Sequence, residues 1–68
     1  MLFRSANLQG ADLSNAKLDG ADLRHANLYK ANLENASLED AKNVDIEYLK
    51  KVANCDGTIM PDGKKYSN

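Results

Sequence analysis

Apolar and polar positions alternate with a five-residue period over residues 6–41. Alanine stands at every fifth position and leucine two residues after it, from Ala6-Asn7-Leu8 onward. In an α-helix each step of five residues would advance about 140° around the axis, which would scatter the leucines over the whole circumference. The two-residue spacing within a unit instead puts alanine and leucine on the same side of an extended segment. The pattern therefore predicts short extended sides and no helix here.

The two residues after each leucine must turn the chain so that the next unit again faces inward. Four units end in residues that tolerate the positive φ of a type II turn, namely Gly10, Asn15, Gly20 and Asn35. The other pairs favour type I or irregular turns: Arg24-His25, Tyr29-Lys30 and Glu39-Asp40. Short sides joined by regular corners predict a solenoid with stacked apolar columns inside.

Seven consecutive units keep both apolar positions, and they read ANLQG, ADLSN, AKLDG, ADLRH, ANLYK, ANLEN and ASLED. This A(D/N)LXX pattern resembles the pentapeptide-repeat family. The resemblance implies an all-β solenoid, a right-handed quadrilateral β-helix with four repeats per coil. Positions i and i+20 would then stack, which makes about two coils. The resemblance also implies that the leucine and the residue two before it point inward.

The expected core consists of these inward positions. They are Phe3, Leu8, Leu13, Leu18, Leu23, Leu28, Leu33 and Leu38, with Ala6, Ala11, Ala16, Ala21, Ala26, Ala31, Ala36 and Ala41. Asn43 stands where the next leucine would be. A polar residue should end the column there, so we expect the β-helix domain to span residues 1–42.

Residues 43–68 break the period and are expected to form a C-terminal cap. A helical face is predicted over about 45–54, with Asp45 as N-cap and Gly57 as the stop. Its cap residues are Val44, Asp45, Ile46, Leu49, Val52 and Ala53. We expect this helix to cover the open end of the solenoid. Pro61-Asp62-Gly63 then predicts a turn or small hairpin, and the region through Gly63 resembles extensions of cyanobacterial pentapeptide-repeat proteins.

Composition narrows the class of protein. Nine basic and ten acidic residues give a net charge of -1, without the basic patch of a nucleic-acid-binding domain. Cys55 is the only cysteine, so an internal disulfide is excluded, which fits a reducing compartment. No apolar run approaches the roughly 20 residues that span a bilayer. We expect a soluble, cytoplasmic protein that binds neither nucleic acid nor membrane.

Few residues suggest chemistry, and we expect no catalytic, cofactor-binding or metal-binding residues. His25 is expected at an exposed corner, away from other metal ligands, and Cys55 half-buried in the cap. Stacking would place Asp19 beside Glu39 and Arg4 beside Arg24, and it would pair Asp22 weakly with Lys42. Tyr29 is expected as an exposed aromatic side chain on the outer surface.

The pattern favours a non-enzymatic structural or protein–protein interaction module, one part of a larger chain or assembly. Met1, Leu2 and Phe3 begin a coil with nothing above it, so the expected interface is this N-terminal end, covered by a protein partner or by a second copy in a homo-oligomer. The alternative is a DNA-mimic modulator of DNA gyrase, as in some pentapeptide-repeat proteins. Duplex DNA carries a charge every ~1.7 Å, and a net charge of -2 over residues 1–40 falls well short of that density.

Overall fold

The chain forms stacked coils in which each unit pairs with the unit four places later. The computed structural model describes residues 2–67. Between the first two coils, parallel β-bridges join Leu2 to Asp22, Asn7 to Asn27, Asp12 to Asn32 and Lys17 to Ser37. Each bridge spans twenty residues. All of the pairings in the described residues are single bridges rather than longer strands.

Each bridge is made by two backbone hydrogen bonds. The Asn27 N–H donates to the Ala6 carbonyl at 2.9 Å, and the Leu8 N–H donates to the Asn27 carbonyl at 2.8 Å. The next sides repeat this pair around the coil. The middle residue of a unit therefore joins one coil to the next, while its alanine and leucine neighbours face the core. The corners add a further bond between coils, as where the Gly10 N–H donates to the Tyr29 carbonyl at 2.9 Å.

The corners share one geometry. In eight successive units the N–H of an alanine donates to the carbonyl three residues earlier, at 2.9 to 3.1 Å. The residue before that alanine always has a positive φ, between 59° and 72°: Ser5, Gly10, Asn15, Gly20, His25, Lys30, Asn35 and Asp40. The prediction of type I or irregular corners at His25, Lys30 and Asp40 was wrong. The twenty-residue register imposes the same left-handed corner on residues that adopt it less readily than glycine.

Aspartate and asparagine recur at the middle position because their side chains support the corner. The Asn27 Oδ1 accepts from the Tyr29 N–H at 3.1 Å, and the Asn32 Oδ1 accepts from the Glu34 N–H at 2.9 Å. The same bond to the residue two ahead is made by Asn7, Asp12, Asp22 and Asn54. Such Asx contacts stabilise the start of a turn, so the outward D/N positions contribute to the fold.

The apolar positions of the repeat line the interior with unequal burial. The buried members are Leu18, Leu23, Leu28, Leu33, Leu38, Ala21, Ala31 and Ala36. The half-buried members are Phe3, Leu8, Leu13, Ala6, Ala11, Ala16, Ala26 and Ala41. Most of the half-buried set lies in the first coil. The best-packed part of the core is therefore the second coil, which has layers on both sides.

One short helix, α1, spans Ile46–Val52. The Asp45 side chain caps it by accepting from the N–H groups of Glu47 and Tyr48. Leu49 is its buried residue, and Ile46 and Val52 are half-buried. Val44 and Ala53, on either side of α1, are also half-buried and pack against the core, whereas Asp45 is exposed.

The stack continues past residue 42, where the sequence was expected to leave the solenoid. Lys42 bridges to Asp22, Asn54 to Asn32 and Ile59 to Ser37, all in parallel. The last two span twenty-two residues, because α1 and its connections use two residues more than an ordinary side. Residues 42–60 thus form a partial third layer, in which Cys55 and Met60 take the leucine position and are buried.

Gly57 belongs to this third layer and does not end α1. Its φ is 76°, and the Thr58 N–H donates to the Cys55 carbonyl at 3.0 Å, as at the other corners. α1 ends earlier because Ala53 is already extended, at φ -116° and ψ 159°. The tail then reverses at Pro61-Asp62-Gly63, and an antiparallel bridge joins Ile59 to Lys65.

We predict that Gly20→Ala lowers the free energy of unfolding by about 1 kcal/mol, the usual cost of a side chain in the left-handed region. An added Cβ would meet no atom within 4 Å, so the loss would report backbone strain rather than a clash. Urea denaturation measures it. Asp19→Ala, at the preceding exposed position of the same corner, should change stability much less, and equal losses would contradict the strain argument.

Candidate functional site

The candidate site is the N-terminal end of the first coil, where the core opens to solvent. Leu2 is 73% exposed, and Phe3 is half-buried against the core. Met1, which the sequence also placed at this interface, lies outside the described residues. An apolar side chain as exposed as Leu2 contributes little to the fold and is available for contact.

Two of the leucine columns change from half-buried to buried along the coil axis. In two stacked pairs the first-coil member is half-buried, whereas its second-coil partner is nearly inaccessible: Leu8 lies over Leu28 and Leu13 over Leu33. At the opposite end of the core, Leu49 of α1, Cys55 and Met60 are buried. The chain therefore covers one end of its core and leaves the other partly open.

The same N-terminal end presents a backbone edge. In the second coil the N–H groups of Asn27, Asn32 and Ser37 donate to carbonyls of the first coil. Across residues 2–67, the corresponding N–H groups of Asn7, Asp12 and Lys17 have no hydrogen-bond partner. These three residues are exposed. An edge of this kind is a ready template for pairing with another chain.

Beside this end lies one buried carboxylate, that of Asp22. Its Oδ1 accepts from Asn43 Nδ2 at 2.8 Å, and its Oδ2 accepts from Arg4 Nε at 2.6 Å. The hydrogen bond from Asn43, then that from Arg4, lowers the pKa of Asp22 to about 2. Asp22 thus pairs with Arg4 and not with Lys42 as expected. Arg4 was expected beside Arg24, with mild repulsion between them, but its side chain instead contacts the Asp22 carboxylate. This contact joins the first coil to the second.

The two residues with the strongest chemical potential lie apart. His25 is exposed at a corner of the second coil. Cys55 is completely buried, although half-burial was expected, and its Sγ donates to the Leu49 carbonyl at 3.7 Å. Burial raises the pKa of the Cys55 thiol, which works against the thiolate that a nucleophile needs.

The remaining polar candidates lie on the outer surface. Asp19 and Glu39 are exposed. Tyr29 is 47% exposed, and the Lys30 Nζ lies 5.4 Å from its ring centroid. Over the described part of the chain, no three His, Cys, Asp or Glu side chains come close enough together to hold a metal ion. Nor does that part contain a helix of the length and apolarity that crossing a membrane requires.

The regular stack has a counterpart among known families. The family model described as pentapeptide repeats matches residues 3–42 in eight copies. The chain belongs to the pentapeptide-repeat family. Membership implies the right-handed β-helix type of fold, in agreement with the twenty-residue stacking. The match begins at Phe3, the aromatic residue that takes the leucine position at the open end.

One solved relative is HetL, a pentapeptide repeat protein involved in heterocyst differentiation regulation from the cyanobacterium Nostoc sp. strain PCC 7120. The two proteins are 43% identical over 96% of this chain, with a TM-score of 0.33. The matched region is 22% of the HetL chain, so this chain spans about a fifth of its relative. None of the curated proteins matches the chain.

The Asp22 contacts predict how stability depends on pH. Because the folded-state pKa is about 2 and an unperturbed aspartate titrates near ~3.9, the carboxylate stabilises the fold above pH ~4. This contribution is lost as pH falls from there toward 2. We expect Arg4→Gln to raise the Asp22 pKa, measured by NMR of the carboxyl carbon. Lys42→Gln is the matched control and should leave it near 2. A rise of the Asp22 pKa in Lys42→Gln alone would mean that Asp22 pairs with Lys42 and not with Arg4.

The burial gradient predicts unequal costs within one column. Leu33→Ala should lower the free energy of unfolding by about 3 kcal/mol, because it leaves a cavity in the closed core, and Leu13→Ala by about 1 kcal/mol. Urea denaturation of dilute protein measures both. Equal losses would mean that the N-terminal end is as well covered as the second coil.

Proposed function

We propose that this chain is a non-enzymatic structural or protein–protein interaction module whose N-terminal end docks against another protein surface. That surface belongs either to a partner protein or to a second copy in a homo-oligomer. The proposal rests chiefly on one observation, the unpaired N–H groups of Asn7, Asp12 and Lys17 around the partly open leucine columns. Family membership supports it, because the chain is a repeat scaffold.

The chemistry of this end specifies what would fit. A partner must bring carbonyl acceptors to the exposed N–H groups, and it must cover the apolar area of Leu2, Phe3 and the first-coil leucines. Another coil of the same family offers both, since the second coil already pairs with the first in this way. Covering the end would also remove a strand edge that otherwise invites uncontrolled pairing.

Sedimentation of the purified chain from low to high micromolar concentration tests the proposal. We expect association, with the amides of Asn7, Asp12 and Lys17 becoming protected from hydrogen exchange as it proceeds. Leu2→Lys places a charge on the most exposed apolar side chain of the interface, so it should weaken association at least about tenfold, equivalent to 1.4 kcal/mol. The matched control is Tyr29→Lys, which also replaces an exposed apolar side chain but on the outer surface, and it should associate normally.

Two results would count against this function. The first is a folded, strictly monomeric chain at high micromolar concentration. The second is association that Tyr29→Lys disrupts and Leu2→Lys does not, which would move the interface to the outer surface of the coil.

A further inference from the structure

A cleft of about 360 Å³ lies between the second coil and α1. Its floor includes Ala26, Asn27 and Leu28, and its opposite wall includes Val44, Tyr48 and Leu49. The volume lies within the range of about 300–1,000 Å³ found for ligand pockets. The cleft is separate from the N-terminal end, so a ligand bound in it would be independent of docking at that end.

The cleft exists because the third layer lacks one side. Lys42, Asn54 and Ile59 stack on Asp22, Asn32 and Ser37, respectively. Asn27 is the middle residue of the remaining side of the second coil, and within residues 2–67 nothing bridges to it from the third layer. The chain makes a detour through α1 at this point and returns to the stack at the next side.

The missing side leaves two backbone groups without partners. On the preceding side, the Lys42 N–H donates to the Ala21 carbonyl and the Leu23 N–H donates to the Lys42 carbonyl. The equivalent groups in the cleft are the Ala26 carbonyl and the Leu28 N–H, and neither forms a hydrogen bond in the described part of the chain. Leu28 is only 4% exposed. Leu28 also lines the cleft, so a bound segment could bring a carbonyl to an N–H that has no acceptor within residues 2–67.

The tail of the same chain shows how such a pair is filled. Thr58 and Met60 lie on a different side of the third layer, on either side of the middle residue Ile59. Within their unit they correspond to Ala26 and Leu28, which flank Asn27. The Tyr66 N–H donates to the Thr58 carbonyl, and the Met60 N–H donates to the Lys64 carbonyl, both at 2.8 Å. Three extended residues of the tail thus pair antiparallel with this edge and satisfy both groups.

We propose that the cleft binds a short extended segment of a partner polypeptide, which adds the missing bridge beside Asn27. The segment would donate one N–H to the Ala26 carbonyl and accept the Leu28 N–H with one carbonyl, as residues 64–66 do on the third layer. This is β-augmentation, in which the main chain supplies affinity and alternate side chains supply specificity. Val44 and Leu49 line the cleft, so the two residues flanking the paired one should be small and apolar.

The shape of the cleft favours a single extended chain over a second copy of this protein. The opening corresponds to the one side that the third layer lacks. It is bounded by α1, which stands in the way of the four-sided end of another coil. A lone extended segment needs only the width of one strand, about 4.8 Å from its neighbour.

Hydrogen exchange of the free chain tests whether the edge is open. The Leu28 amide should exchange about tenfold faster than those of Leu23 and Leu33, which lie in the same coil and donate to the Lys42 and Asn54 carbonyls of the third layer. The comparison is made in dilute protein. Protection of Leu28 equal to that of Leu23 would mean that the edge is closed, and protection that rises with protein concentration would assign the cleft to a second copy. Either result overturns the proposal.

Selection from a displayed library of random dodecapeptides tests the occupant. We expect enriched peptides that shift the amide resonances of Ala26 and Leu28 on binding. The 68-residue chain synthesised with an N-methyl group on the Leu28 amide should bind them about tenfold more weakly, a loss of 1.4 kcal/mol. The matched control carries the N-methyl group on Asp19, an exposed corner residue of the first coil whose amide is also unpaired within residues 2–67, and should bind normally.

Two side-chain variants provide a test that does not depend on the N-methylated chain folding correctly. Tyr48→Ala removes part of the cleft wall, and Tyr29→Ala removes a similarly exposed tyrosine outside it. We expect only Tyr48→Ala to weaken peptide binding. The proposal is wrong if no enriched peptide contacts the cleft, or if the N-methyl groups on Leu28 and Asp19 weaken binding equally. These results are independent of the Leu2→Lys sedimentation test.

Discussion

The hydrogen bond that closes each corner is the constraint on which the rest of the structure depends. The carbonyl of one inward residue accepts the N–H of the residue three positions later, and the residue just before the donor has a positive φ. Because each corner has the same geometry, four units return the chain above its starting point. The bridges between coils, the leucine columns and the Asx contacts at the middle positions all require that register. Where the chain departs from this geometry, at α1, two additional residues are needed before Asn54 and Ile59 again pair with the second coil.

Much of this architecture could be predicted from the sequence, because a five-residue period with alanine and leucine two apart is compatible with few structures. The local departures were harder to predict. His25, Lys30 and Asp40 adopt a backbone conformation that their side chains disfavour, since the register of the whole stack outweighs a local preference. The Asp22 carboxylate pairs with Arg4 and Asn43 rather than with Lys42, the residue stacked directly on it.

The continuation of the stack into the C-terminal region was missed, although a signal was present. Ala53-Asn54-Cys55-Asp56-Gly57 keeps the alanine, the asparagine and the corner glycine of a repeat, with cysteine in place of leucine. Because Cys55 replaces leucine and α1 interrupts the repeat just before it, the five-residue period was not recognised here. The next unit was not recognised because Thr58, with its hydroxyl, occupies the alanine position. The hydroxyl is tolerated there because the Thr58 Oγ1 donates to the Leu33 carbonyl at 2.6 Å. No periodic pattern could have indicated the cleft beside Asn27, which results from the path of the detour.

The substitution of cysteine for leucine in the third layer also gives the fold a built-in reporter. The chain has one thiol, and it is sealed beneath α1 in the column that contains Leu33. A thiol reagent can reach it only when the third layer opens, by itself or with the whole chain, so a modification rate above the rate of global unfolding measures local opening of that layer. The opening of the cap can thereby be measured separately from that of the two coils beneath it, without introducing a cysteine by mutation.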